Sequence, residues 1–405
     1  MPQRRRARGV SEAGGGPLAG VRVIDLTTAV LGPVATQILG DMGADVIKVE
    51  PPQGDTMRQV GPTRGPDMAV MFLNINRNKR SVVLDPKPAA ARGALPRLIG
   101  GAGGLVPNMP PGAAERLGLS YAALAPRNPR LIHASATGFR KDGRHRDRPA
   151  FDDVIQGMSG LAALNAMRDG GEPRYVPSAI ADKFCGHVLA SAVAMALYRR
   201  ERTGRGQEVH VPMLETMLSF NLAEHLWGGV LDDPSLGLGY GRMFTPYRRP
   251  FPTSDGHLCL MANSDDQWQR LLGALGRPDR ADDPRFARLA QRAVNIGALY
   301  AIVEEVMRTR STAEWQARLD AADVPNGPVL GLAEMLEDEY LAETGFFRRV
   351  EHPSEGRMLV TAVPVEFSEA PGAVRRLPPR LGEHTAEVLR EAGLAEAEIA
   401  ELAGG

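Results

Sequence analysis

The sequence has little of what several protein classes require. Only 2 of its 405 residues are cysteines, Cys185 and Cys259, far apart and in no metal-ligand spacing. That excludes a disulfide framework and a thiolate zinc site, and it suits a reducing, cytoplasmic setting. Neither charge sign is in surplus, since 48 basic residues balance 48 acidic ones. A neutral chain lacks the cationic excess that nucleic-acid binding or attachment to an anionic membrane draws on, so neither partner is expected. No apolar run approaches the roughly 18–20 residues that cross a bilayer. The stretch 188–198 comes nearest, and it is short with polar flanks.

The common catalytic fingerprints are also missing. There is no G-x-x-x-x-G-K-S/T and no G-x-S-x-G, so a P-loop is excluded and a serine hydrolase has no elbow. The 8 histidines form no H-x-x-x-H pair, so no metal centre is expected. The turn after the first expected strand reads Thr27-Thr-Ala-Val-Leu-Gly32, without the glycines that let a backbone approach a dinucleotide pyrophosphate.

What is present is an ordinary globular composition, 43% hydrophobic and 24% charged, in a chain long enough for about two domains. Residues 1–16, rich in Arg and Gly, lack the apolar core of a secretory signal and read as a disordered extension. From Pro17 onward the pattern is that of an α/β protein. Strands are expected over 21–26 and 45–50, with a helix over 34–42 between them. This is a βαβ unit, so the two strands are parallel. Further strands read over 80–85, 130–135 and 207–211. Helices read over 88–99, 158–165 and 184–200. The glycine run 100–104 reads as a loop, and a polar loop spans 137–148. Composition shifts near Leu231, where a smaller helical segment begins.

Several stretches resemble the class III CoA-transferases. They are Leu18-Ala-Gly-Val-Arg-Val-Ile-Asp25, Gly43-Ala-Asp-Val-Ile-Lys-Val-Glu50, Asn76-Arg-Asn-Lys-Arg-Ser81, Arg199-Arg-Glu-Arg-Thr-Gly-Arg-Gly-Gln207, Val324-Pro-Asn-Gly-Pro-Val329 and Leu381-Gly-Glu-His-Thr385. They occur in order and cover nearly the whole chain after residue 17. The resemblance implies a Rossmann-like large domain with a parallel sheet and a smaller α+β domain, in an interlocked homodimer. The large domain would take 17–225 and 331–405, and the small domain 226–330. The activity implied is transfer of CoA from an acyl-CoA to a carboxylic acid, with coenzyme A as co-substrate and no tightly bound cofactor.

Asp182, in Ser178-Ala-Ile-Ala-Asp-Lys-Phe-Cys-Gly186, matches the family's nucleophilic aspartate. On position alone, an Asp ahead of a helix reads as an N-cap. The chemistry needs a carboxylate that attacks a thioester and then carries the CoA. An aspartate is ionised near neutrality without a general base. Racemases of the family place a histidine where this chain has Phe151, and phenylalanine moves no proton. An acyl-CoA racemase or epimerase, or a non-catalytic CoA-binding protein, are the alternatives. CoA contacts carried over by resemblance are Leu84, Lys87, Asn108, Met109, Arg116, Ala150, Phe151 and Asp152. The chain departs from the family at Pro51 and at Pro107-Asn-Met-Pro-Pro-Gly112, where charged residues are lost. It also has no glycine-rich loop around 237–249, where Arg242, Arg248 and Arg249 are candidates for an acceptor carboxylate.

Overall fold

The computed structural model describes residues 15–84, 89–109 and 111–403. Residues 1–14 of the expected extension, and Lys87, lie outside them. The chain forms two compact units. The first holds residues up to 159, 176–219 and 340 onward; the second holds 160–175 and 220–339.

The first unit is built on a six-stranded sheet, ordered β3-β2-β1-β4-β5-β6. Its strands are β1 Arg22–Leu26, β2 Asp45–Glu50, β3 Lys79–Val83, β4 Gly104–Pro107, β5 Ile132–Thr137 and β6 Gln207–Pro212. Every pair is parallel. This confirms the α/β class, and the order is that of a doubly wound dinucleotide fold. The order reverses between β1 and β4, where connections leave on opposite sides and open a crevice at the strands' carboxyl ends.

One apolar core fills a face of this sheet. Ile24, Ile47, Val82 and Leu105 meet Leu98 and Ile99 from helix Ala89–Gly100, and Val388 and Leu389 from helix Thr385–Glu391. Helix Leu31–Asp41 packs against the long helix Ile180–Thr203. Their crossing needs Gly186, since a Cβ there would lie 2.8 Å from the Leu31 carbonyl oxygen. The long helix is a correction to the sequence reading: at 24 residues it is long and apolar enough to cross a bilayer. Its buried face, with Cys185, Leu189, Val193 and Leu197, belongs to the core.

Parallel strands covered on both faces are expected to be almost wholly apolar. Here Asp25, Lys48, Glu50 and Lys79 intrude, all buried. Each is paired: Lys79 Nζ to Asp25 at 3.0 Å, Lys48 Nζ to Asp55 at 2.8 Å, and Arg58 Nε to Glu50 at 2.7 Å. Buried charge persists only when so compensated. A two-stranded antiparallel ribbon, β10 Phe347–His352 with β11 Gly356–Thr361, completes the unit.

The second unit packs helices Asp265–Ala274, Leu289–Met307 and Thr312–Ala321 around Trp268, Leu299, Tyr300 and Trp315. A three-stranded antiparallel sheet, β7 Phe251–Pro252, β8 His257–Leu260 and β9 Asn326–Pro328, joins them. Two of the helices begin with reciprocal capping boxes, Ser264 with Gln267 and Ser311 with Glu314, which satisfy N–H groups that a helix start leaves free.

Candidate active site

The crevice at the strand-order reversal is a cleft of about 510 Å³ within the first unit. Its floor is the turn after β1. Asn108, next after β4, bridges to that turn: its Nδ2 donates to the Thr28 carbonyl at 2.9 Å and its Oδ1 accepts from Thr28 N–H at 3.3 Å. Ala29 sits in the left-handed region, φ +65°. Its N–H donates to Asp55 Oδ1 at 3.2 Å, and Lys48 Nζ donates to the Thr27 carbonyl at 2.8 Å. The buried Lys48–Asp55 pair therefore shapes the cleft floor, in place of a glycine-rich turn.

Asp182 lies in this cleft. The structure corrects its place in the helix. The helix starts at Ile180 with Ala179 as its cap, so Asp182 is inside the first turn and caps nothing. Gly186, one turn later, sits at the crossing with helix Leu31–Asp41, and Asp182 lines the cleft together with Val30 and Leu31. Among the described residues, no side chain bonds to or pairs with the Asp182 carboxylate. Burial first, then repulsion from Asp152 and Asp153, pushes its pKa up from 3.8 to about 6. It is therefore mostly ionised at neutral pH and more basic than an ordinary aspartate. Cys185, in the next turn, is no rival nucleophile. Its thiol is pushed up to about 12 by burial, and further by Asp182 and Asp152.

Of the residues singled out in the sequence, Asp182, Asn108, Met109, Ala150 and Phe151 line this cleft. Phe151 is 71% exposed, and no histidine lines the cleft among the described residues. Leu84 and Met109 line a second, mostly apolar cleft of about 330 Å³, with Pro51, Leu95 and Leu119. Leu26 and Met109 belong to both clefts, so the two adjoin. Asp152 lines neither. It is buried behind the wall, with Oδ1 accepting from Asp182 N–H at 2.9 Å and Oδ2 from Gln156 Nε2 at 2.6 Å. Arg116 is exposed and lines neither cleft.

In the second unit, Arg242 is buried and donates to the Tyr300 hydroxyl at 3.0 Å, and Arg249 pairs with Glu304 at 3.1 Å. Arg248 is half-buried. Residues assigned no site role from the sequence are Thr28, Leu31, Thr137 and, among the cations of the polar loop, Arg146 and Arg148, all lining the Asp182 cleft. The polar loop after β5 was visible in the sequence, but nothing there told which of its cations faces the cleft.

The profile of CoA-transferase family III matches residues 18–385. Among curated proteins, the acetyl-CoA:oxalate CoA-transferase of Acetobacter aceti is 34% identical, covering 94% of this chain and 97% of that protein. The succinate–glutarate CoA-transferase of Agrobacterium fabrum is 34% identical, covering 93% and 95%. Among solved structures, the orthorhombic form of Rv3272 from Mycobacterium tuberculosis superposes with a TM-score of 0.79 at 32% identity, covering 92% of this chain and 99% of that one. A CAIB/BAIF family protein from Brucella suis superposes with a TM-score of 0.78 at 31% identity, covering 93% and 100%. An α/β unit with a carboxylate in its switch-point crevice, joined to these matches over nearly the full length, identifies the chain as a member of CoA-transferase family III.

Proposed function

We propose that this enzyme moves CoA from an acyl-CoA to a carboxylic acid, with Asp182 as the covalent carrier. The supporting observation is the Asp182 carboxylate itself, basic and unpaired in the cleft at the strands' carboxyl ends. A carboxylate oxygen attacks the thioester carbonyl, the C–S bond breaks, and a mixed anhydride and CoA thiolate form. The thiolate then attacks the aspartyl carbonyl, releasing the donor acid and leaving an aspartyl thioester. The acceptor carboxylate attacks that carbonyl, giving a second anhydride and thiolate. The thiolate takes the acceptor's acyl carbon, and Asp182 leaves as carboxylate. No proton transfer is needed, which agrees with a cleft wall of phenylalanine rather than histidine.

The oxyanion of each step needs donors. Val30, Leu31 and Asp182 share the cleft, and the amides of Leu31 and Gly32 belong to a first helical turn, where N–H groups have no intrahelical acceptor. These are the proposed donors. The nucleotide end of CoA is assigned to the adjoining apolar cleft with Leu84 and Met109, with Asn108, Ala150 and Phe151 along the arm. Acyl-CoA and the acid are thus the partners, and no tightly bound cofactor takes part.

The assembly proposed is an interlocked homodimer. Its support is the outer face of helix Ile180–Thr203, where the apolar side chain of Met195 and the ring of Tyr198 stand largely exposed. Light scattering on the purified chain tests it, and a monomer at micromolar concentration would reject it. The mechanism is tested with Asp182→Ala, which should abolish CoA exchange while the chain stays folded. Hydroxylamine added with acyl-CoA should trap Asp182 of the unsubstituted enzyme as a hydroxamate. Full exchange by the alanine variant would end the proposal.

A further inference from the structure

We infer that the loop from Gly138 to Ala150 is this chain's phosphate-binding loop, with Arg146 and Arg148 holding the diphosphate of CoA. The inference rests on the reading of this enzyme as one that binds CoA at the two adjoining clefts. CoA brings a diphosphate between its nucleotide and its pantetheine arm, and such a group needs cationic donors. Among the described residues the apolar cleft has no basic side chain in its lining, and the charged residue there is Glu50, already paired with Arg58. In the Asp182 cleft the basic residues, among those described, are Arg146 and Arg148. With the thioester at Asp182 and the nucleotide in the apolar cleft, the diphosphate passes between them.

The loop is built to present these two residues. Its ends nearly touch, because a Cβ on Gly138 would lie 2.4 Å from the Ala150 Cβ. This is an Ω-loop neck that only glycine permits. Within the loop, turns follow one another: Gly143 N–H to the Arg140 carbonyl, Arg146 N–H to Gly143 and Arg148 N–H to His145. The base is pinned to the sheet. Thr137 Oγ1 donates to the Phe139 carbonyl at 2.9 Å, His210 Nε2 lies 2.8 Å from the same hydroxyl, and Lys141 pairs with Glu208.

The other loop cations are spoken for or turned elsewhere. Arg140 pairs with Asp142 at 2.8 Å, and Arg144 donates to His145 and does not line the cleft. Arg146 pairs only with its neighbour Asp147, at 3.0 Å, while the exposed Arg148 side chain has no partner among the described residues. An unpaired guanidinium at the rim of a substrate cleft supplies the forked donor that a diphosphate takes.

Calorimetric titration of the full chain with CoA and with dephospho-CoA tests this. Arg148→Gln should weaken both ligands alike, by about tenfold, because both carry the diphosphate. Arg148→Lys should restore part of the affinity, and the melting temperature should not move. Gly138→Ala should weaken both ligands as well by opening the loop's neck. Equal affinity of Arg148→Gln and the unsubstituted chain for CoA would overturn the inference. So would a loss confined to CoA, which would put the arginine on the 3′-phosphate. A chain that binds CoA in this arginine-dependent way yet performs no exchange would sink the transfer mechanism and leave the loop's role standing.

Discussion

The backbone N–H of Asp182 donates to Asp152 Oδ1 across 2.9 Å, so the buried Asp152 carboxylate fixes the backbone of Asp182 while its charge opposes ionisation of that side chain. Gln156 completes the clamp. Its Nε2 donates to Asp152 Oδ2 at 2.6 Å and its Oε1 accepts from Val176 N–H at 2.9 Å, tying down the segment that leads into the long helix. Asp152 thus positions Asp182 and adds to the basicity that burial gives it first.

Asp152→Asn should therefore separate the two effects. The amide oxygen still accepts the Asp182 N–H, while the charge is gone and the amide nitrogen in place of Oδ2 no longer accepts from Gln156 Nε2. Formation of the acyl-enzyme, followed as thiol release in a single turnover, should fall off below about pH 6 in the unsubstituted chain, where Asp182 takes up a proton. In the variant that acid limb should move to lower pH. The plateau rate should drop as well, since a less basic carboxylate is a weaker nucleophile. An unmoved acid limb would show that Asp152 acts on shape alone.

The raised pKa also has a consequence for stability. Asp182 binds its proton more tightly in the folded chain than at the ordinary 3.8. The folded state gains from this below pH 3.8 and loses the gain as pH climbs through about 6. Above that, the ionised carboxylate is a net cost to folding. Asp182→Asn should then stabilise the chain at pH 8 by roughly 1–3 kcal/mol in urea unfolding. The difference should vanish near pH 4. A variant that is inactive and no more stable at pH 8 would contradict the unpaired, half-buried environment described above.

Much of this was legible in the sequence, and the misses have physical causes. The βαβ opening was read correctly because β1 and β2 are apolar runs around a 3.6-period helix bounded by glycine. Strand β4 was missed although it is central. It is Gly104-Leu-Val-Pro107, where a glycine and a proline bracket two apolar residues, too few to show a period. Its neighbours β1 and β5 supply the hydrogen-bonding partners that composition does not predict. Helix Ala89–Gly100 forms in spite of Pro96 because its far face is buried on the sheet core. Asp182 was legible by its surrounding motif, yet its place inside the first turn was not. Ala179, the cap, has no side-chain acceptor to announce a start. The Asp152–Gln156 clamp joins residues that only the tertiary fold brings to Val176 and Asp182.

Phe151 offers a prediction on binding without folding. Its ring is 71% exposed, so truncating it removes little buried area, and Phe151→Ala should leave unfolding within about 0.5 kcal/mol of the parent. The ring lines the cleft, however, so the KM for acyl-CoA should rise severalfold while that for the acid changes less. In heavy water, without an acceptor acid, the parent should put no deuterium on the α-carbon of a 2-methylacyl-CoA. Steady incorporation there would mean that another group beside the cleft moves protons, and would favour racemisation.

The cleft floor gives the strongest stability prediction. Asp55 is fully buried and accepts three hydrogen bonds, from Lys48 Nζ at 2.8 Å, Met57 N–H at 3.0 Å and Ala29 N–H at 3.2 Å. Asp55→Ala leaves the Lys48 ammonium buried without its partner and the strained Ala29 without its anchor. Breaking a buried pair from one side costs about 3–5 kcal/mol, because the remaining charge keeps its desolvation penalty. Removal of an exposed partner, as in Asp142→Ala opposite Arg140, should leave the urea midpoint in place. Asp55→Asn should fall between, since its amide can still accept from Ala29 but cannot neutralise Lys48. At temperatures where Asp55→Asn remains folded, it should show a higher KM for acyl-CoA, because the Thr28–Ala29 turn that Asn108 bridges would no longer be held. If Asp55→Ala unfolds no more readily than Asp142→Ala, then the charges beneath the crevice are not what shapes it.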